Sequence, residues 1–227
     1  MAIIKKYKVV VKQVLNPLPD IYRISFTSEK MFKYLPGQFL HLALDEYDGI
    51  GQWPESRCFS MQSSPAEPVI IITFSVKGRF TERMAEELKI GKEVWLKLPY
   101  GDLFDRDQNK DNCVFIAGGT GITPFLSLFT DNSFSEYVNP VLYSGFRNIS
   151  YNIFNKELTF AQNINNKFEI NTIYEDRNGM LDIKYIHNNH GAATYFISGP
   201  PLMINNFKNY LLEKNINGSN IITDDWE

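Results

Sequence analysis

Through the first hundred residues, apolar side chains either alternate with polar ones or run in short blocks rich in β-branched and aromatic types. "YKVVVKQV", "YRISFT", "QFLHLAL", "VIIITFSVK" and "EVWLKL" each predict a strand. Turn-forming clusters separate them: "NPLPD", "LPG" and "AEP". One helical stretch interrupts, "TERMAEEL" over residues 81–88, with Thr81 as its N-cap. Several strands on short links predict an antiparallel barrel.

The period then changes. "DRDQNKDN" puts eight polar residues in a row over 105–112 and reads as a linker. Beyond it, strands and helices alternate. "CVFIAG", "PVLYSGF", "KFEINTIY", "ATYFISG" and "SNIITD" predict five strands. Helices are predicted at "TPFLSLFT", opened by Pro124 in its first turn, near "YNIFNKELTFAQ", and at "PPLMINNFKNYLLEK". This alternation predicts a parallel sheet covered on both faces. Two domains follow, 1–104 and 112–227. The asparagines divide at the same place: one before residue 109, Asn16, and twenty from Asn109 onward.

Composition narrows the class. The 227 residues are 44% hydrophobic and 22% charged, ordinary for a globular protein with a real core. A net charge of −3 argues against nucleic acid as the main partner. No apolar run has the length of a membrane span, and the N-terminal stretch mixes lysines into its apolar residues, so a cytoplasmic protein is expected. Two cysteines, Cys58 and Cys113, are too few for a four-thiolate cluster. The three histidines, His41, His187 and His190, show no metal-ligand spacing, and no metal is expected.

Three stretches carry candidate chemistry. "ESRCFSMQSSP" packs an arginine, an aromatic ring and several hydroxyls into one short segment. "FIAGGTGITPF" turns from a strand into a helix on Gly118, Gly119 and Gly121, where backbone can approach a ligand and a helix N-terminus favours phosphate. The spacing Gly119-x-Gly121-x-x-Pro124 lacks the third glycine of the dinucleotide fingerprint, so this turn alone fits either a tight connection or a phosphate cradle. "ISGPPLM" makes a second glycine turn at the same edge of a parallel sheet, with Ser198 at the strand tip. Two such loops at one edge favour a ligand site.

Taken in order, "RCFS", "VKGRFT", "PYGDLF", "GGTGITP" and "SGPP" resemble the ferredoxin–NADP(+) reductase family of flavoenzymes across nearly the whole chain. The resemblance implies an FAD-binding antiparallel β-barrel followed by an α/β, Rossmann-like nucleotide-binding domain with a five-stranded parallel sheet. It implies that Arg57 pairs with the flavin diphosphate and that Phe59 lies against the isoalloxazine, with Cys58 packed nearby. Ser60 would hydrogen-bond near flavin N5, although strand geometry turns its side chain away from Arg57 and Phe59 unless the strand bulges. Val76, Lys77, Gly78 and Thr81 would form the second diphosphate site. Gly119, Thr120, Gly121 and Thr123 would carry the nicotinamide dinucleotide phosphates, with Ser198, Gly199 and Pro200 beside the nicotinamide. Ser60 and Ser198 are the catalytic candidates, and Trp226 stands where some relatives shield the flavin with a ring.

Phe59 and Ser198 depart from the tyrosine and cysteine of many relatives. Arg147 could meet a 2′-phosphate, but Glu175 and Asp176 in "YEDR" would repel one, so NADH is favoured over NADPH. The implied activity is hydride transfer from NAD(P)H to FAD. Electrons then pass to a separate acceptor protein such as a ferredoxin, a flavodoxin or an oxygenase component. The alternatives are a flavin reductase releasing reduced flavin, a non-catalytic electron-transfer subunit, or a nucleotide-sensing module.

Overall fold

The computed structural model describes residues 3–105 and 109–224, and the chain divides into two compact units, Met1–Phe104 and Asp105–Glu227. Unit 1 is a six-stranded antiparallel sheet in the order β4-β3-β6-β1-β2-β5. The strands are β1 (Lys5–Leu18), β2 (Ile21–Thr27), β3 (Phe39–Ala43), β4 (Ser56–Ser60), β5 (Ile70–Ser75) and β6 (Glu93–Tyr100). Along β1, Tyr7, Val9 and Val11 point inward while Lys6, Lys8, Val10 and Lys12 are exposed, the period-two pattern the sequence shows. The sheet nearly closes on itself just past β4. There the Gln62 N–H donates to the Ile71 carbonyl at 2.8 Å, and the Ile71 N–H donates to Ser63 Oγ at 3.1 Å. Inside lie Ile24, Phe26, Leu40, Leu42, Met61 and Leu96, all fully buried.

Helix α1 (Arg79–Glu87) starts two residues earlier than the sequence pattern predicts. Gly78 is the N-cap, and Thr81 sits three positions inside the helix. Its Oγ1 accepts the Lys77 and Gly78 N–H groups at 2.9 and 3.1 Å and donates to the Gly78 carbonyl at 2.8 Å. The threonine fastens the entry loop from within, which gives the helix its extra half turn.

Unit 2 is a five-stranded parallel sheet in the order β11-β10-β7-β8-β9. Its strands are β7 (Cys113–Gly118), β8 (Val141–Phe146), β9 (Glu169–Tyr174), β10 (Thr194–Ser198) and β11 (Ile221–Thr223). Helices α2 (Thr123–Phe129), α3 (Asn155–Ile164) and α6 (Pro201–Glu213) fall where expected, and Pro124 stands in the first turn of α2. Both faces of β7 are buried. Val114 and Ile116 join Tyr195, Ile197, Ile204 and Leu211 on one side. On the other, Phe115 stacks on Phe196 with centroids 4.9 Å apart, in a cluster with Phe125 and Phe129. Two helices were not expected: the short α4 (Glu175–Asn178) and α5 (Ile183–His190). The latter buries Ile183 and Ile186 and is capped by Asp182, whose carboxylate accepts the Lys184 N–H at 2.8 Å. Among the described residues, no helix is long and apolar enough to cross a membrane.

Candidate functional site

In unit 1, β4 and the start of α1 bring two of the motifs together. Arg57 and Phe59 lie on the same face of β4, opposite Leu42 and Leu40 of β3. Phe59 packs partly buried against the core, 5.9 Å from the Phe74 ring. Arg57 is exposed, and its guanidinium lies 5.1 Å from the ring of Phe80, the second residue of α1. The cation therefore stands beside the helix start, where first-turn N–H groups lack intrahelical partners and the dipole favours anions. Gly78 is exposed and extended, and a Cβ there would meet nothing within 4 Å, so the backbone at this point is open to a ligand. Lys77 is exposed next to it, and Val76 anchors the loop, donating its N–H to the Asp20 carbonyl at 2.8 Å. These residues fit a diphosphate: a guanidinium fork, an ammonium and an open helix start in one place.

Cys58 and Ser60 occupy the other face of β4. The β3–β4 register runs without a bulge through Ser60, so its buried side chain stays on the Cys58 side. The Cys58 thiol faces His41, with Sγ 3.5 Å from Nε2. Burial pushes this thiol up from its ordinary value, although Arg57 opposes the shift. His41 is held below the usual imidazole value, first by burial and then by Lys97. A neutral thiol beside a neutral imidazole is packing, not a nucleophile.

In unit 2, the two glycine loops meet. A Cβ at Gly121 would fall 2.5 Å from the Gly199 Cα and 2.6 Å from its nitrogen, so the loops touch main chain to main chain. A Cβ at Gly118 would instead meet side chains, 2.8 Å from Pro200 Cδ and 3.0 Å from Met203 Sδ. Only Gly119 of the three, at φ +57°, has open space where its side chain would be. Close loop packing, more than ligand approach, accounts for Gly118 and Gly121. Thr120 is half-buried, and its carbonyl accepts the hydroxyl of buried Thr123 at 2.9 Å.

Ser198 ends β10 almost fully buried and donates its hydroxyl to Asp224 Oδ2 at 2.9 Å. Asp224 is fixed in turn, its N–H donating to the Ile197 carbonyl at 2.9 Å. Arg147 is exposed past β8, its guanidinium 5.5 Å from the Tyr151 ring, and its carbonyl accepts the Asp176 N–H at 3.2 Å. The acids after β9 thus lie beside Arg147. Trp226 lies outside the described residues.

Sequence reasoning missed Asp224, Phe80 and Glu55, which pairs with Arg57 at 2.9 Å. Glu55 and Arg57 are two apart in an extended segment, a spacing that puts them on one face. Asp224 directly follows β11, whose pairing with β10 aligns Ile197 with Thr223. Among the described residues, no group of three or more His, Cys, Asp or Glu side chains could hold a metal ion.

No family model matches the chain. Relatives are nonetheless found. The phenol hydroxylase P5 protein of Acinetobacter pittii (strain PHEA-2) is 25% identical over 94% of this chain and 64% of its own length. The reductase component of the naphthalene 1,2-dioxygenase system, ferredoxin–NAD(P)(+), of Pseudomonas putida is 30% identical over 59% of this chain and 40% of its own. The chain thus spans less than two thirds of these relatives' length. A ferredoxin NADP+ reductase from Neisseria gonorrhoeae, solved with FAD and NADP, superposes with a TM-score of 0.77 over 94% of this chain and 92% of that one, at 18% identity. The fold is that of an FAD-binding barrel followed by a Rossmann-like unit. The chain's homologues and structural neighbours are members of the ferredoxin/FAD–NAD(P) reductase family, as the motif order implies.

Proposed function

We propose that the chain is an NAD(P)H-dependent flavoprotein reductase, with NADH the favoured donor. It takes hydride to FAD and passes electrons on to an acceptor protein such as a ferredoxin, a flavodoxin or an oxygenase component. In this reading residues 1–104 bind FAD and residues 112–227 bind the nicotinamide dinucleotide. The observation that carries it is the meeting of Arg57 with the open start of α1 at Gly78, joined through Phe80 at 5.1 Å. The family of the relatives supports it.

Each residue has a task. Arg57 and Lys77 neutralise the diphosphate, and the unpaired N–H groups of the first turn of α1 receive its oxygens, with Gly78 leaving room for their approach. Thr81, whose hydroxyl already holds the Lys77 and Gly78 N–H groups, shapes that loop. Phe59 offers a ring face to the flavin, while Cys58 packs behind it. Ser60 contributes through its main chain, because its side chain lies on the other face of β4. When bound, FAD supplies a hydride acceptor at N5 and a store that can release electrons onward. On the nucleotide side, Gly119 and the Gly121–Thr123 turn hold phosphate. Gly199 and Pro200 set the loop beside the nicotinamide. Ser198 orients the nicotinamide ring, its own hydroxyl held by Asp224. Glu175 and Asp176 disfavour a 2′-phosphate beside Arg147. Both cysteines are free thiols, which supports a cytoplasmic setting.

The test is a visible absorption spectrum of the purified protein before and after anaerobic NADH. Yellow protein that bleaches is the expected result, and colourless protein that never oxidises NADH, even with added FAD, overturns the reading. The Glu55 ion pair on Arg57 favours a second reading, a flavin reductase that releases its product. For it the expected result is colourless protein that oxidises NADH only when flavin is supplied.

A further inference from the structure

Glu55 pairs with Arg57 at 2.9 Å, and the two side chains are 56% and 54% exposed. An ion pair this open to water is screened and contributes little to folding. Its position is more telling than its strength. Arg57 Nη2 donates to Glu55 Oε1, while Nη1 donates to the Ser56 carbonyl at 2.9 Å. Both terminal nitrogens of the fork are therefore engaged by the chain itself. They stand beside the open turn at Gly78 and above the Phe80 ring.

We propose that Glu55 is an internal competitor for the flavin diphosphate, so that Arg57 must exchange a carboxylate for phosphate each time FAD binds. The inference rests on the flavin reading above and names what sets the affinity of that site. A diphosphate held bidentately takes a two-donor edge of the guanidinium, and Glu55 occupies one of those donors. The carboxylate also remains close to the incoming anion and repels it. Both effects weaken binding and speed release, turning a resident cofactor into an exchangeable one. Riboflavin, which has no phosphate, should not sense Glu55.

The experiment is titration of FAD and of riboflavin into the full chain, stripped of flavin, for the wild type, Glu55→Gln and Glu55→Ala. Both substitutions are at an exposed side chain, and circular dichroism verifies the fold. The expected result is FAD binding tighter by about three- to ten-fold in both variants at low ionic strength. The gain should shrink as salt rises, and riboflavin affinity should not change. Unchanged or weaker FAD binding overturns the inference, as does an equal gain for riboflavin. If the wild type and both variants bind no FAD, the flavin reading itself falls and this inference with it.

Discussion

Arg57 and Ser198 carry opposite ends of the proposed reaction, and each is held by a carboxylate, Glu55 and Asp224. Replacing Arg57 with alanine removes charge-assisted bonds of roughly 1.5–3 kcal/mol. FAD affinity should fall about ten- to a hundred-fold in a fluorescence titration, with Arg57→Lys between the two because it loses the planar fork. Ser198→Ala has a different signature. It should slow flavin reduction at saturating NADH by about ten-fold while FAD affinity stays the same, read by stopped-flow absorbance. An unchanged rate would remove Ser198 from the chemistry. Histidines set the response to acid. Burial holds His41 and His190 below the ordinary 6.5, so the unfolded chain takes up protons near that pH where the folded chain does not. Stability from these two groups is present above about pH 6.5 and is lost as pH falls toward their folded values. The urea midpoint should therefore drop between about pH 7.5 and pH 5.5, and less so in the double substitution of both histidines by asparagine. At this scale the sequence displays only near neighbours. Glu55 and Arg57 stand two apart in an extended segment, whereas Ser198 meets Asp224 through a strand pairing that no local pattern displays.

Among elements, the strands and the two glycine turns were readable because alternation and glycine spacing are local. What the glycines do was not. Gly118 and Gly121 are required by another loop eighty residues further along the chain. Gly121→Ala should therefore cost about 1–3 kcal/mol by overpacking backbone against backbone, lowering the thermal midpoint, while Gly119→Ala leaves loop packing alone. A thermal midpoint unchanged by Gly121→Ala would contradict the packing account, whereas Gly119→Ala should cost only the strain of its positive φ. Helix α5 escaped notice because its asparagines and histidines are weak helix formers, and burial of Ile183 and Ile186 overrides that preference. Thr81 misled for the opposite reason. It is a favoured N-cap type, yet its hydroxyl serves the N-terminal loop from inside the helix.

At the scale of the molecule, each unit has its own sheet and its own core, and among the described residues no strand is shared between the sheets. Residues 1–104 expressed alone should give a β-type circular dichroism spectrum and still bind FAD, but should not oxidise NADH. Loss of FAD binding in that fragment would show that the flavin site needs residues beyond Phe104. The change of grammar along the chain, from period two to strand–helix alternation, made the two kinds of sheet, antiparallel and then parallel, readable without any structure.

The backbone contact between Gly121 and Gly199 has a consequence for how such a protein can diversify. Two main chains in contact leave no side chain to trade, so no change at one position can be compensated at the other. A library randomised at both positions should return the glycine pair, while folded variants should tolerate change at half-buried Thr120, where the loop still has a side chain to trade.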